Sequence, residues 1–165
     1  MDLSVIIPAF NECESLPELS AWIARVMQEN GYDYEVLFVD DGSSDGTWGA
    51  LQTLADADPH VHGLRFRRNY GKSAALYCGF ERAQGEVVFT MDADLQDSPD
   101  ELPEMYRMIV EQGYDLVSGW KQHRKDNALT KNLPSKLYNA TARPITGIKL
   151  HDMNCGLKAY RKDVV

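Results

Sequence analysis

Short apolar runs of strand length, each followed by a helical pattern, constrain the fold of this chain more than any other feature. The first four predicted strands cover residues 3–7, 35–39, 61–66 and 87–91, and all but 61–66 are mostly apolar. A continuous apolar run is typical of a strand buried on both faces, as in a parallel sheet covered by helices. Right-handed crossovers place the carboxyl ends of such strands along one edge, where these folds bind ligands. The pattern therefore predicts an α/β fold with a mostly parallel sheet and helices on both faces.

Two capping-box patterns predict where helices begin. Ser15 and Glu18 have this spacing ahead of one helical pattern, and Ser98 and Glu101 have it ahead of another. In a capping box the serine oxygen accepts a backbone N–H of the first turn, so we expect helices directly after Ser15 and Ser98. The remaining predicted elements are helices from Trp48 to before Pro59 and over residues 72–83 and 136–143, and strands over residues 116–118 and 157–160.

The charge is distributed unevenly along the chain. Residues 1–119 carry 7 Lys and Arg against 22 Asp and Glu, whereas residues 120–165 carry 10 against 3. The second part therefore has a net charge of +7 in a chain whose overall charge is −8. This basic segment is either a solvated face or a surface for phosphate groups or an anionic membrane. A nucleic-acid partner is disfavoured, because the acidic part would repel a long polyanion.

Length and composition predict one domain over residues 1–165, divided at residue 119 by this change of charge. The sequence contains neither a run of about 20 apolar residues, which would span a membrane, nor a signal peptide. Cys13, Cys78 and Cys155 lie far apart and outside any CxxC pattern, which favours reduced thiols in the cytosol. Because the last predicted strand has no covering helix, we expect the natural protein to continue beyond residue 165. A homo-oligomer is left open.

The strongest chemical signal is Asp92-Ala93-Asp94, directly after the fourth predicted strand. Two carboxylates at the end of a buried strand can reach one hard cation such as Mg²⁺ or Mn²⁺, and the amide oxygen of Gln96 is a further candidate ligand. Such a cation would neutralise the charge on a departing diphosphate. The alternative is a solvated acidic turn that precedes the helix after Ser98.

A second group of polar and aromatic residues, Pro8-Ala9-Phe10-Asn11-Glu12, follows the first apolar run. Pro8 is expected to end the strand because it has no N–H for the ladder. Phe10 offers an aromatic face for a nucleobase, and Asn11 and Glu12 offer hydrogen-bonding groups. An ordinary strand-to-helix loop is the alternative, above all for Asn11.

A third group, Asp40-Asp41-Gly42-Ser43, follows the second apolar run. One of the two aspartates can accept the N–H of a uracil or guanine, while the other holds the turn. A role in the turn alone is the alternative for Asp40. Asp45 is expected to cap the helix that starts near Trp48.

Taken in order, these motifs resemble family 2 glycosyltransferases of the GT-A fold. The resemblance is greatest to the branch of dolichyl-phosphate mannosyltransferases and polyprenyl-phosphate glucosyltransferases. The matching segments are VIIPAFNE at residues 5–12, VDDGS at 39–43, NYGK at 69–72, MDADLQD at 91–97 and NCGLKAYR at 154–161. Residues 118–125 depart from the Gly-Ser-Arg-Tyr-like segment of the family, with Lys121 or Arg124 in place of the expected arginine. This departure leaves the donor sugar and its base open.

The resemblance implies a role for each matched position. Asp92, Asp94 and Gln96 would hold the metal, with Asp41 the favoured base contact of its pair. Gly71 and Lys72 would approach the nucleotide from a helix N-terminus, where backbone N–H groups favour anions; a turn and an exposed side chain are the alternative for this pair. The residues implied to bind the nucleotide sugar are Pro8, Ala9, Phe10, Asn11, Glu12, Asp40, Asp41, Gly71, Lys72 and Asp92.

The implied reaction is an inverting transfer from a UDP- or GDP-linked sugar to a polyprenyl phosphate at the cytoplasmic membrane face. A phosphate acceptor is already an anion and needs positive charge rather than a general base. The candidates for that charge are Lys121, Arg124, Lys131, Lys136 and Arg143, and the catalytic set implied is Asp94, Arg124, Lys136 and Asp152. An anionic membrane surface would attract Lys121, Arg124, Lys125, Lys131 and Lys136. A membrane surface would be contacted through a region beyond residue 165.

Two other functions are compatible with part of the pattern. A family 2 enzyme that transfers to a sugar hydroxyl in cell-envelope polysaccharide synthesis would need Asp152, beside His151, as its base. A neutral, partly buried side chain is the alternative for His151. A non-enzymatic, receiver-like α/β module would explain the aspartate pairs, but it would leave Phe10, Gln96 and the basic segment without a purpose.

Overall fold

The computed structural model describes residues 1–119 and 155–165. Nearly all of them belong to one compact unit formed by residues 1–117 and 157–165. The helix expected over residues 136–143 lies outside the described residues. So do the predicted acceptor-side positions Lys121, Arg124, Lys125, Lys131, Lys136, Arg143, His151 and Asp152.

Strands and helices alternate over residues 1–119 as the sequence predicts. The strands are β1 (Leu3–Ala9), β2 (Tyr34–Asp40), β3 (Val61–Arg65), β4 (Val87–Thr90), β5 (Leu116–Ser118) and β6 (Lys158–Arg161). The helices are α1 (Leu16–Asn30), α2 (Thr47–Ala57), α3 (Lys72–Arg82) and α4 (Leu102–Val110). No helix in the described ranges is both long and apolar enough to cross a membrane.

The six strands form one sheet in the order β3-β2-β1-β4-β6-β5. The pairs β1–β2, β1–β4 and β2–β3 are parallel, and β6 runs antiparallel to β4. β2 is buried along its whole length and β1 along nearly all of it. The prediction of a mostly parallel, buried sheet is therefore confirmed, and the carboxyl ends of β1, β2 and β4 lie side by side.

The prediction that Pro8 ends the first strand is wrong. β1 continues to Ala9 and stays paired with β2 throughout. The carbonyl of Ile6 accepts a hydrogen bond from Met91 on the β4 side, and Pro8, two residues further, faces the same side. β1 pairs with β4 only over residues 3–6. Pro8 thus lies beyond the last residue of β1 that pairs with β4, so the pairing does not require an N–H at this position.

Neither predicted capping box forms, although both helices begin near the predicted places. The hydroxyl of Ser15 donates to the carbonyl and the carboxylate of Glu12, at 3.1 and 2.9 Å, and caps nothing. The hydroxyl of Ser98 donates to Asp100, and a 3₁₀ turn over Pro99–Glu101 precedes α4. In both cases the serine donates its hydroxyl to a neighbouring carboxylate, and its oxygen accepts no backbone N–H of the following turn.

Helix α3 packs unusually close to β1. A Cβ on Gly79 would collide with the side chain of Ile6, so the approach depends on a glycine at this position. Around this contact lies a buried apolar cluster of Ile6, Leu37, Ala83 and Val88, on which Leu76 and Phe80 pack. Because α3 begins at Lys72, this packing also determines where the backbone of Lys72 lies.

Candidate functional site

A pocket of about 290 Å³ lies at the carboxyl ends of β1, β2 and β4. We call it the edge pocket. Its lining residues come from three strand ends and the loop before α3, and nine of them are residues predicted from the sequence to bind the nucleotide sugar or the metal. The lining consists of Pro8, Ala9, Phe10, Glu12, Asp41, Asn69, Gly71, Lys72, Asp92, Ala93 and Asp94.

The loop after β1 contributes an aromatic ring and a carboxylate to the edge pocket. Phe10 is 46% exposed, which leaves its ring available for stacking. Asn11, by contrast, holds two loops together: its N–H donates to the Ser43 hydroxyl (2.9 Å) and its side-chain oxygen accepts from the Ser44 N–H (3.0 Å). Asn11 is absent from the pocket lining. Its contacts agree with the alternative given above, that Asn11 belongs to an ordinary strand-to-helix loop.

A chain of hydrogen bonds places Glu12. Its backbone N–H donates to the Thr47 hydroxyl (2.9 Å), and that hydroxyl donates to Asp45 (2.5 Å). Asp45 also accepts the N–H of Thr47 (2.9 Å), the first residue of α2, but the N-cap position itself is taken by Gly46, one residue after the predicted cap. The hydrogen bonds from Thr47 lower the pKa of Asp45 to about 2. A further hydrogen bond from Cys13 to Asp45 raises the pKa of that thiol.

The two aspartates after β2 have different partners. Asp40 is fully buried, and one of its oxygens accepts the N–H of Ser43 (2.9 Å). Its other oxygen lies 3.3 Å from Nε of Arg65 as an ion pair, without hydrogen-bond geometry. Asp40 therefore holds its own turn and does not line the edge pocket.

Asp41 holds a different loop. One of its carboxylate oxygens accepts the N–H of Tyr70 (2.7 Å), and the other accepts the N–H of Gly71 (2.9 Å). Gly42 brings the same loop close, because a Cβ there would collide with the backbone of Arg68 and its φ of +74° favours glycine. Each oxygen of Asp41 keeps a second lone pair, so the carboxylate can still accept from a ligand.

The residues after β4 form a tight turn at the floor of the edge pocket. The N–H of Asp92 donates to the buried Asp97 (3.3 Å), and the N–H of Gln96 donates to Asp94 (3.1 Å). The ammonium of Lys72 forms an ion pair with the carboxylate of Asp92. Asp92 is 30% exposed and Lys72 is 53% exposed, so the pair is open to solvent.

The donor set fits a divalent cation that is shared with a ligand. Within residues 1–119 and 155–165, no group of three or more His, Cys, Asp or Glu is placed to hold a metal by itself. Asp92 and Asp94 provide two hard oxygen ligands in one pocket, and Mg²⁺ usually binds in this way, through one or two carboxylates together with waters and phosphate oxygens. Gln96 is exposed and does not line the pocket.

Asn69 lines the edge pocket, yet sequence reasoning gave it no role. It stands directly before Tyr70 and Gly71, the two residues whose N–H groups Asp41 holds. The signal was present, because Asn69 opens one of the segments that carry the family resemblance. Its place in the pocket depends on the long-range contact between two loops, which no local pattern encodes.

Known proteins are similar to this chain over 99% of its length. Undecaprenyl-phosphate 4-deoxy-4-formamido-L-arabinose transferase of Shewanella sediminis is 40% identical over 164 residues, which are 99% of this chain and 49% of that protein. The enzyme of that name from Pseudomonas syringae pv. syringae is 41% identical over 164 residues, 99% of this chain and 48% of its own length. The chain thus spans about half the length of the curated relatives it matches.

Solved structures share the fold. A mannosyltransferase from Pyrobaculum calidifontis, in complex with GDP-Man and Mn²⁺, is 24% identical with a TM-score of 0.66 over 98% of this chain and 45% of its own. Glucosyl-3-phosphoglycerate synthase from Mycobacterium tuberculosis, in complex with UDP, is 22% identical with a TM-score of 0.74 over 99% of this chain and 57% of its own. The predicted GT-A fold is confirmed.

The family assignment follows from the length of the match. The model of the family described as "Glycosyl transferase family 2" matches residues 4–165, which include every segment that carried the resemblance. Together with relatives that are 40% identical or more over 99% of its length, this match shows that the chain belongs to glycosyl transferase family 2.

Proposed function

We propose that the chain is the catalytic domain of an inverting glycosyltransferase that moves a sugar from a nucleoside-diphosphate sugar to a polyprenyl phosphate. The observation that carries the proposal is the edge pocket, where an aromatic ring, two metal-compatible carboxylates and one lysine lie together. The relatives named as undecaprenyl-phosphate transferases support the choice of acceptor.

On the donor side, the aromatic ring, the carboxylates and the helix N-terminus of the edge pocket each have a role that their contacts allow. Phe10 stacks on the nucleobase, and Asp41 and Glu12 accept from its polar edge or from the ribose. Asp92 and Asp94 hold Mg²⁺ or Mn²⁺, which when bound neutralises the charge that develops on the departing diphosphate. The N-terminus of α3, which begins at Lys72, offers the positive end of the helix dipole to the phosphates.

On the acceptor side, the phosphate oxygen is the nucleophile. It is ionised at neutral pH, so the enzyme has to position it and screen it from the donor diphosphate rather than deprotonate it. The basic segment 120–165, with 10 Lys and Arg against 3 Asp and Glu, supplies the charge for this, through candidates such as Arg124 and Lys136. The same charge would attract the anionic cytoplasmic face of a membrane, by about 1 kcal/mol for each residue near the surface.

A transfer assay tests the proposal. The protein is incubated with Mn²⁺, radiolabelled UDP- and GDP-sugars and undecaprenyl phosphate in vesicles, and label in the organic phase is measured. We expect lipid-linked sugar from one nucleotide class, and its loss with EDTA. A product formed instead on a free sugar hydroxyl, and lost in Asp152→Asn, would replace the phosphate acceptor with the hydroxyl acceptor.

A further inference from the structure

We propose that Lys72 and the divalent cation compete for Asp92, so that Lys72 couples metal binding to diphosphate binding. The ammonium neutralises Asp92 until a cation replaces it, and the released ammonium then pairs with the donor diphosphate. This inference rests on the proposed function, because it concerns the metal and the diphosphate of the same pocket.

The charges of the edge pocket support the competition. Lys72 is the one basic residue among the described residues of its lining, and its ammonium is paired with Asp92. The lining also contains three other carboxylates, those of Glu12, Asp41 and Asp94. An exposed pair of single charges is weak, so a divalent cation that binds Asp92 and Asp94 together can displace the ammonium.

The backbone of Lys72 is held, whereas its side chain is 53% exposed. Asp41 accepts the N–H of Gly71, directly before Lys72, and Gly79 anchors the helix against Ile6. Lys72 is the first residue of α3, and the N-terminal end of a helix favours an anion at the same place. The flexible four-carbon stem can therefore swing from Asp92 to a phosphate without any movement of the helix.

Competition of this kind makes metal and nucleotide binding cooperative. A cation that binds alone has to break the pair between Lys72 and Asp92, and it leaves the ammonium without a partner. When a nucleoside diphosphate is also bound, the ammonium gains a new partner. Each ligand therefore increases the affinity for the other, and by the same factor.

Calorimetric titration of Mn²⁺ into the protein, with and without saturating UDP or GDP, tests this coupling. In Lys72→Met we expect Mn²⁺ to bind the protein alone several-fold more tightly. We expect the effect of nucleotide on Mn²⁺ affinity to fall by about tenfold, within the usual range of coupling between sites. Arg107→Met is the matched control, since it also removes a cation from an exposed ion pair, with Glu104, but outside the pocket lining.

The outcomes separate this inference from the proposed function. If Mn²⁺ with UDP or GDP binds the natural protein, but Lys72→Met leaves both Mn²⁺ affinities unchanged, the competition is wrong and the donor site stands. An equal change in Arg107→Met would also overturn it, because the effect would then be one of net charge. If no nucleoside diphosphate binds with Mn²⁺ to the natural protein, the proposed function fails. Lys72→Gln repeats the test should the methionine variant not fold.

Discussion

The two ends of the central sheet both carry carboxylates, but in opposite environments. At the amino end, Glu35 is 1% exposed and accepts hydrogen bonds from the hydroxyl of Ser4 (2.6 Å) and the N–H of Gln84 (2.7 Å). At the carboxyl end, Asp92 is 30% exposed and its carboxylate is paired with the exposed ammonium of Lys72. One carboxylate is enclosed by fixed donors, and the other faces a pocket with an exchangeable partner.

This difference distinguishes a carboxylate that stabilises the fold from one that is available to bind a ligand. A buried carboxylate with fixed partners holds strands and loops together, and removing it leaves those donors unsatisfied. A partly exposed carboxylate gives the fold little, but it can exchange a lysine for a metal. We therefore expect changes at the amino end to act on stability and changes at the carboxyl end to act on binding and transfer.

The largest effect is expected at the carboxyl end, in Asp94→Asn. A bound metal contributes several kcal/mol to stabilising the charge of the transition state, so transfer should fall at least about a hundredfold. Nucleoside diphosphate affinity with Mn²⁺ should fall as well, while the unfolding midpoint stays near that of the natural protein. Steady-state kinetics, calorimetry and urea unfolding measure the three quantities. An unchanged diphosphate affinity would remove Asp94 from the metal site.

The opposite result is expected at the amino end, in Glu35→Ala. Loss of this carboxylate leaves the hydroxyl of Ser4 short of an acceptor and leaves the N–H of Gln84 only its longer bond to the Ser4 oxygen (3.1 Å), which costs about 1–3 kcal/mol in the free energy of unfolding. Affinity for Mn²⁺ and a nucleoside diphosphate should not change. Urea unfolding and calorimetry test both statements, and Glu35→Gln, which keeps an acceptor oxygen, should lose less stability. A loss of affinity without a loss of stability would reverse the comparison.

The smallest effect sharpens the comparison, because Asp45 is an exposed carboxylate at the carboxyl end with a structural role. Hydrogen bonds from Thr47 lower its pKa from an ordinary 3.8 to about 2. A lowered pKa contributes stability above the unfolded value, and this contribution is lost as pH falls through the folded value. Asp45→Asn should therefore be slightly less stable than the natural protein at pH 7, and the difference should shrink between about pH 4 and 2. Thermal unfolding at several pH values checks this. If the difference in unfolding temperature between the two proteins stays constant with pH, the charge of Asp45 is not its cause.

The sequence predicted the strands well, because burial on both faces leaves a direct trace in apolar runs. It expected Asp45 at the start of α2, where Asp45 accepts the N–H of Thr47 two residues further on, because such a contact is local. It failed for Pro8, whose tolerance depends on where β4 stops pairing with β1. It also failed for Ser15 and Ser98, whose side chains turn to nearby carboxylates and accept no backbone N–H.

The residue types of the site and the strand ends that carry them were determined by the sequence alone. What only the tertiary structure decided is which of these residues face one pocket and which hold it together. Asn11 and Asp40 belong to the second group, and Asn69 joins the first. The pairing of Lys72 with Asp92 was likewise invisible in the sequence, since 20 positions separate them. Such pairs arise because a parallel sheet aligns its carboxyl ends, whereas local patterns reach only a few residues along the chain.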